Sequence, residues 1–392
     1  MHSKKIISKK KITLLIFAIL ILASTISTLF IAQVNDVPLS NSYLEDTLEK
    51  NESLFQVPAT SIHVFDLNSI THSKTIGFQT IDKKIPVTEN SYFHVGSTAK
   101  SVLALISGKC VQNNLIDFQT NFFDLYPELK SSSNPSYYNL TLADLLNCRG
   151  GFSPYTQGDS SVEVSNPYAN TYEFAKELLS VPPQKPIQKN GEFPHEYSNS
   201  CYALAALMLE KSTNKTYEDL IAQFFKDNGS FDYQFGFAYN NDATAPYGHL
   251  LQSNTVVGPD SNYELARFLR PSGDLSMTPV SYTSYARLHL NGLCGKSNYL
   301  PKEVFEYLDY GDSSIQTNQE YFAYGSYCGT LFGKRYVNID GTIGTFFART
   351  ILFPDDQWGF TIVMNSGNEL SVNYLCARII KAHYRLKWMF FV

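Results

Sequence analysis

Several spacings that would announce a familiar chemistry are missing from this sequence. None of its six cysteines forms a C-x-x-C pair, and its eight histidines show neither H-x-x-x-H nor H-x-H. The usual ligand pattern for zinc is therefore lacking, and no metal or other cofactor is called for. No dense basic block follows the first residues, and 31 Lys and Arg against 36 Asp and Glu leave a formal charge of -5. A phosphate backbone would find no electrostatic track, which excludes nucleic acid as a partner. No self-similarity recurs at periods of roughly 20 to 50 residues, so solenoids and propellers are set aside. Mean hydropathy of -0.17 leaves no room for a many-span membrane protein. What remains is 392 residues at 44% hydrophobic composition, enough to bury a large core.

One stretch lacks charge entirely. Lys4, Lys5, Lys9, Lys10 and Lys11 are followed by no charged residue until Asp36, and residues 12–35 are mostly Leu, Ile, Phe and Ala. As a helix this segment would reach about 36 Å, more than the hydrocarbon thickness of a bilayer. Residues 1–35 are read as a membrane anchor or a signal segment, with the lysines on the cytoplasmic side and the rest of the chain in the cell envelope or secreted. An A-x-A cleavage pattern is missing, and Ala23-Ser24-Thr25 substitutes for it weakly. All six cysteines fall in the exported part, where disulfides are permitted. The sequence selects no pairing among them, and most are read as small buried apolar residues.

Residues 36–60 read as a polar tether, and a domain is expected over 61–392. Alternation over Ser61–Leu67 and a second extended run at Thr75–Thr80 predict a hairpin. Near the other end, runs at Thr345–Phe353 and Gly359–Asn365 flank a Pro-Asp-Asp-Gln turn, and a helix follows over Ser371–Lys387. Between these ends helices dominate: Ser97–Asn113, Leu142–Asn147, Ser200–Thr213, Tyr217–Asp227 and Thr278–Asn291, the last with Thr278 as N-cap and Pro279 at the first helical position. The fold class is α/β (α+β), an antiparallel sheet built from the N- and C-terminal segments, flanked by helices, with a mostly helical region inserted.

Ser97 and Lys100 stand three apart where an extended segment opens a helix. That spacing puts both side chains on one side, an amine beside a hydroxyl at a helix N-terminus. If burial lowers the lysine's pKa, it can take the serine's proton and leave a nucleophile. By itself S-x-x-K is common and usually marks an N-cap followed by a solvated lysine. The G-x-S-x-G elbow of another hydrolase fold is not met, because Val95 stands where its first glycine belongs.

The surrounding residues add weight. Phe93 through Lys100, Asn114-Leu115-Ile116-Asp117, Leu125-Tyr126-Pro127-Glu128-Leu129, Leu140 through Leu146 and Gly150-Gly151-Phe152 come in an order that resembles the serine β-lactamase and penicillin-binding-protein-like family. The likeness is to its class C, D-alanyl-D-alanine peptidase and esterase branch. Tyr197-Ser198-Asn199 resembles the family's Y-x-N element, and Pro271 through Thr278 its stretch before a late helix. The resemblance implies a β-lactamase/transpeptidase-like fold and acylation of Ser97. It implies that Lys100 and Tyr197 share proton transfer and that Asn199 holds the lysine and a substrate amide. Which of Lys100 and Tyr197 is the base stays open. The substrate implied is a small molecule or a peptidoglycan-derived one: a β-lactam, a D-alanyl peptide or an ester.

The family's third element, K-T-G or H-x-G, falls on Ile339-Asp340-Gly341. The resemblance puts Ile339 at the position of the missing cation, Gly341 at the glycine, and Thr342 at the amide that joins the Ser97 N–H in an oxyanion hole. A one-residue shift would put Asn338 there instead. Asp340 adds negative charge that would repel a substrate carboxylate. The alternative function is a catalytically silent relative that binds peptidoglycan or a protein partner.

Overall fold

The computed structural model describes residues 38–156, 167–229, 231–250, 255–261, 263–311 and 320–386. Residues 1–35, with the expected membrane anchor or signal, lie outside the described residues. Among the described residues no helix is long and apolar enough to cross a membrane.

In chain order, helix α1 (Asn41–Phe55) precedes strands β1 (Ala59–Asp66), β2 (Ile70–Gly77) and β3 (Phe93–His94). Helices α2 (Ala99–Gln112), α3 (Phe122–Leu125), α4 (Pro127–Lys130), α5 (Leu142–Leu146), α6 (Thr171–Ser180), α7 (Asn199–Thr213) and α8 (Tyr217–Asp227) follow. Short strands β4 (Tyr233–Phe235), β5 (Gly248–His249), β6 (Val256–Val257) and β7 (Leu275–Met277) lead to α9 (Pro279–Leu293) and α10 (Lys302–Tyr310). The chain continues with β8 (Tyr321–Ala323), β9 (Ser326–Leu331), β10 (Lys334–Thr342), β11 (Phe347–Phe353), β12 (Trp358–Met364) and α11 (Glu369–Tyr384).

Seven strands form one antiparallel sheet in the order β2-β1-β12-β11-β10-β9-β8. β1 pairs with β12 from Thr60 opposite Met364 to Asp66 opposite Trp358, so the two ends of the chain close the sheet around the helical insertion. This is the architecture expected from the sequence. Period-two alternation sorts the strands between two cores. Trp358, Phe360, Ile362 and Met364 of β12 join Leu375 and Ile379 of α11 on one face. Val363 of β12 and Val337 and Ile339 of β10 pack on the other face, with Val95, Ala99 and Val102 around α2.

The tether expected over residues 36–60 is corrected by α1. Ser40 caps it by accepting from the Tyr43 N–H, and Tyr43, Leu44, Thr47, Leu48 and Asn51 are buried. Their spacing lays one stripe on the sheet and α11. Lys and Glu residues between them lower the mean hydropathy, so the segment looks polar although one face is not. Burying a leucine fully contributes about 1.5–3 kcal/mol, which makes α1 part of the fold. Tyr43 Oη also donates to the Arg378 carbonyl at 3.1 Å, and Ser371 Oγ to Asn51 Oδ1 at 2.8 Å.

All six cysteines are free thiols, Cys294 half-buried and the others buried.

Candidate active site

Gly96–Thr98 forms one 3-10 turn that leads into α2, and Ser97 sits on it. The turn is pinned from both sides. The Gly96 N–H donates to His94 Nδ1 at 3.1 Å, which leaves the ring proton on Nε2. On the other side the turn meets the end of β10. Here two glycines are required: a methyl on Gly96, whose φ is +51°, would come within 2.7 Å of the Thr342 amide nitrogen, and one on Gly341 within 1.8 Å of the Val95 carbonyl oxygen. β9 pairs with β10 only from Lys334 to Asn338, and among the described strands none pairs with Ile339–Thr342 on that side.

Lys100 lies one turn further along and is fully buried. Its Nζ donates to Asn199 Oδ1 at 2.7 Å and to the Ser272 carbonyl at 2.8 Å, and lies 3.1 Å from Ser97 Oγ. The orientation of the Asn199 amide is fixed from behind, because its Nδ2 donates to the Tyr155 carbonyl at 2.7 Å. Burial lowers the pKa of Lys100 from 10.5 to about 7. A neutral amine has two N–H bonds and one lone pair. Asn199 Oδ1 and the Ser272 carbonyl only accept, so they use both N–H bonds and leave the lone pair for the Ser97 hydroxyl.

Tyr197 completes this wall. Its ring lies under Lys100, with Nζ 4.7 Å from the centroid. Burial pushes its phenol well above the usual tyrosine value, and the adjacent Ser97 hydroxyl offsets this only in part. The phenol is therefore protonated at neutral pH. The two candidate bases are pushed in opposite directions by the same desolvation, and only the lysine is brought near neutrality.

A cleft of about 1110 Å³ opens here, and its lining includes Ser97, Tyr197, Asn199, Asn338, Asp340 and Thr342. The structure thus brings together Ser97, Lys100, Tyr197, Asn199 and Thr342. Ile339 is corrected: it is fully buried in the core and does not line the cleft, and Gly341 faces the same way, against the serine turn. Strand alternation is the reason, since Asn338, Asp340 and Thr342 point to the opposite face.

Other residues were not singled out by the sequence. Arg349 on β11 lines the cleft and is held bidentately by Asp340, with Nε to Oδ1 and Nη2 to Oδ2 both at 2.6 Å. Its Nη1 donates to Asn373 Oδ1, also at 2.6 Å. β10 and β11 form a hairpin in which Asp340 stands directly opposite Arg349, so the register of two adjacent extended runs was the available signal. For the Ser272 carbonyl there was none, because it reaches Lys100 from the end of a 3-10 helix (Arg267–Ser272), 172 residues away.

Among curated proteins, the chain is similar to Protein flp of Staphylococcus aureus strain MRSA252, with 21% identity over 332 residues, 84% of this chain and 64% of the relative. Protein flp of strain NCTC 8325 / PS 47 is 22% identical over 335 residues with the same coverage. The chain thus spans under two thirds of the length of these relatives. Among solved structures, an octameric penicillin-binding protein homologue from Pyrococcus abyssi superposes with a TM-score of 0.70 at 19% identity, covering 87% of this chain and 77% of that one. A class C beta lactamase from Rhodobacter sphaeroides gives 0.66 at 14% identity, covering 86% and 98%. These likenesses establish the fold. The Beta-lactamase family model matches residues 48–384, from the helix that precedes the sheet to the end of the last helix, and the chain belongs to the Beta-lactamase family.

Proposed function

We propose that this chain is a serine acyl hydrolase that forms an acyl-enzyme at Ser97 on a β-lactam, a D-alanyl peptide or an ester. The observation that carries the reading is Lys100, a buried amine with its pKa brought down to about 7. Its Nζ donates to Asn199 Oδ1 and the Ser272 carbonyl and lies 3.1 Å from Ser97 Oγ, so that the neutral form has its lone pair left for the serine hydroxyl. In the first step the lone pair takes the serine proton as Oγ bonds to the substrate carbonyl carbon. The resulting oxyanion is met by the Ser97 and Thr342 amides, and one such donor is typically worth about 2.7–4 kcal/mol. When the intermediate collapses, the bond to the leaving nitrogen or oxygen breaks. Tyr197 gives that atom its proton and recovers one from the Lys100 ammonium. Water then attacks the ester carbonyl carbon, its proton passing through Tyr197 to the Lys100 amine, and as the bond to Ser97 Oγ breaks the Lys100 ammonium returns a proton to that oxygen, releasing the acid.

Exposure to a fluorescent penicillin and to p-nitrophenyl acetate, followed by intact mass, tests this. An adduct is expected with at least one of them, lost in Ser97→Ala, and its rate of formation rises with pH through about 7 as Lys100 gives up its proton. No adduct with either acyl donor overturns the hydrolase reading in favour of a silent, binding relative.

A further inference from the structure

The β10 wall of the cleft is built to meet a hydrogen-bond donor. Asp340, Glu320 and Glu369 line the cleft with Arg349 as the single guanidinium among the described lining residues. That guanidinium offers no free fork to a substrate carboxylate, because Asp340 fills the Nε and Nη2 edge, and Nη1 donates to Asn373 Oδ1 and toward the Cys376 sulfur. The protein has placed its own carboxylate where an incoming one would bind. Glu320 accepts from the Tyr336 hydroxyl at 2.8 Å, a neutral partner that leaves its charge facing the cleft.

A second observation is independent of these charges. Asn338 lines the cleft, is only 6% exposed, and its buried Oδ1 has no hydrogen-bond partner among the described residues. Its Nδ2 points to Asp340 Oδ2 at 3.5 Å, which leaves the oxygen as the free end. The side chain lines the cleft while this oxygen is itself shielded, so a ligand N–H meets it as the Asn338 amide turns toward the cleft, and an unpartnered buried acceptor favours that turn.

We infer that this wall is a subsite for an acyl donor whose arm ends in a protonated amine, and that it disfavours arms ending in a carboxylate. The inference rests on Ser97 being the residue that is acylated. An ammonium supplies donors for Asn338 Oδ1 and offsets the carboxylates, whereas a carboxylate meets repulsion and an acceptor facing an acceptor.

Three p-nitrophenyl esters of matched length test this: 6-aminohexanoate, hexanoate and the adipate monoester. The aminohexanoate is expected to exceed the adipate ester in kcat/KM by about tenfold or more at low salt, the gap narrowing as salt rises. Asp340→Asn frees the Arg349 fork, and the adipate ester gains about tenfold relative to hexanoate. Asn338→Leu leaves that fork filled and lowers the aminohexanoate-to-hexanoate ratio. In parallel, calorimetry on Ser97→Ala with 6-aminohexanamide, hexanamide and adipate monoamide reads the subsite without acylation. Preference for the amine in binding, with no ester turned over, overturns the hydrolase reading and leaves the subsite standing. Equal or better handling of the adipate arm, in turnover and in binding, overturns the subsite.

Discussion

Two buried cations face the same cleft and are treated in opposite ways. Lys100, on the helical wall, meets only neutral acceptors, and desolvation brings its pKa down to about 7. Arg349, on the sheet wall, is clasped by the Asp340 carboxylate, which outweighs burial and raises its pKa above the ordinary arginine value. A buried cation without a counter-ion becomes a base, and one with a counter-ion becomes a fixed ion pair. The chemistry of each wall follows from whether the partner is Asn199 or an aspartate.

That contrast can be broken at either wall. Lys100→Met removes the proposed base and is expected to slow the proposed Ser97 acylation by about 10²–10⁴-fold, measured as the rate of adduct formation. The same variant sharpens the stability side. A lysine with a lowered folded-state pKa costs stability below about 7 and costs nothing above its free value of 10.5. The melting temperature of the parent should therefore rise relative to Lys100→Met as pH climbs across that window. Arg349→Leu strands Asp340 and is expected to cost about 3–5 kcal/mol in a denaturant titration, because it breaks a largely buried pair at one end. Asn199→Asp gives the lysine the kind of partner Arg349 has. The pH midpoint of acylation should move up by about one unit or more, with a loss of about tenfold at pH 7. An unmoved midpoint would show that Lys100 is not the titrating base.

Much of this was legible before folding. The first strand at Ser61, the paired runs at the other end and the helix capped by Thr278 rest on nearest-neighbour signals and stand within a few residues of where they were read. The partner strand read at Thr75–Thr80 instead begins at Ile70 and ends at Gly77, because the turn is tighter than the polar residues suggested. Ser97, Tyr197 and Asn199 line one cleft, with Lys100 buried behind it against Asn199. Helix α1 was hidden because its stripe is diluted by Lys and Glu, and only the opposing α11 reveals which face is buried. Ile339 illustrates a different limit. A motif places a residue in line, but alternation along β10 decides its face, and the isoleucine is core while Asn338 and Asp340 line the cleft.

The order of residues by itself carried the resemblance to the family, through its motifs, and the sheet closed by both chain ends, through local periodicity, and it set Ser97 and Lys100 one turn apart as the proposed nucleophile and base. The tertiary structure alone decided what those residues are as chemical groups. The charge of Lys100 depends on the water excluded around it and on a carbonyl 172 residues away. The availability of Arg349 depends on the strand opposite it. Desolvation and long-range hydrogen bonding are properties of the packed molecule, and no stretch of sequence carries them.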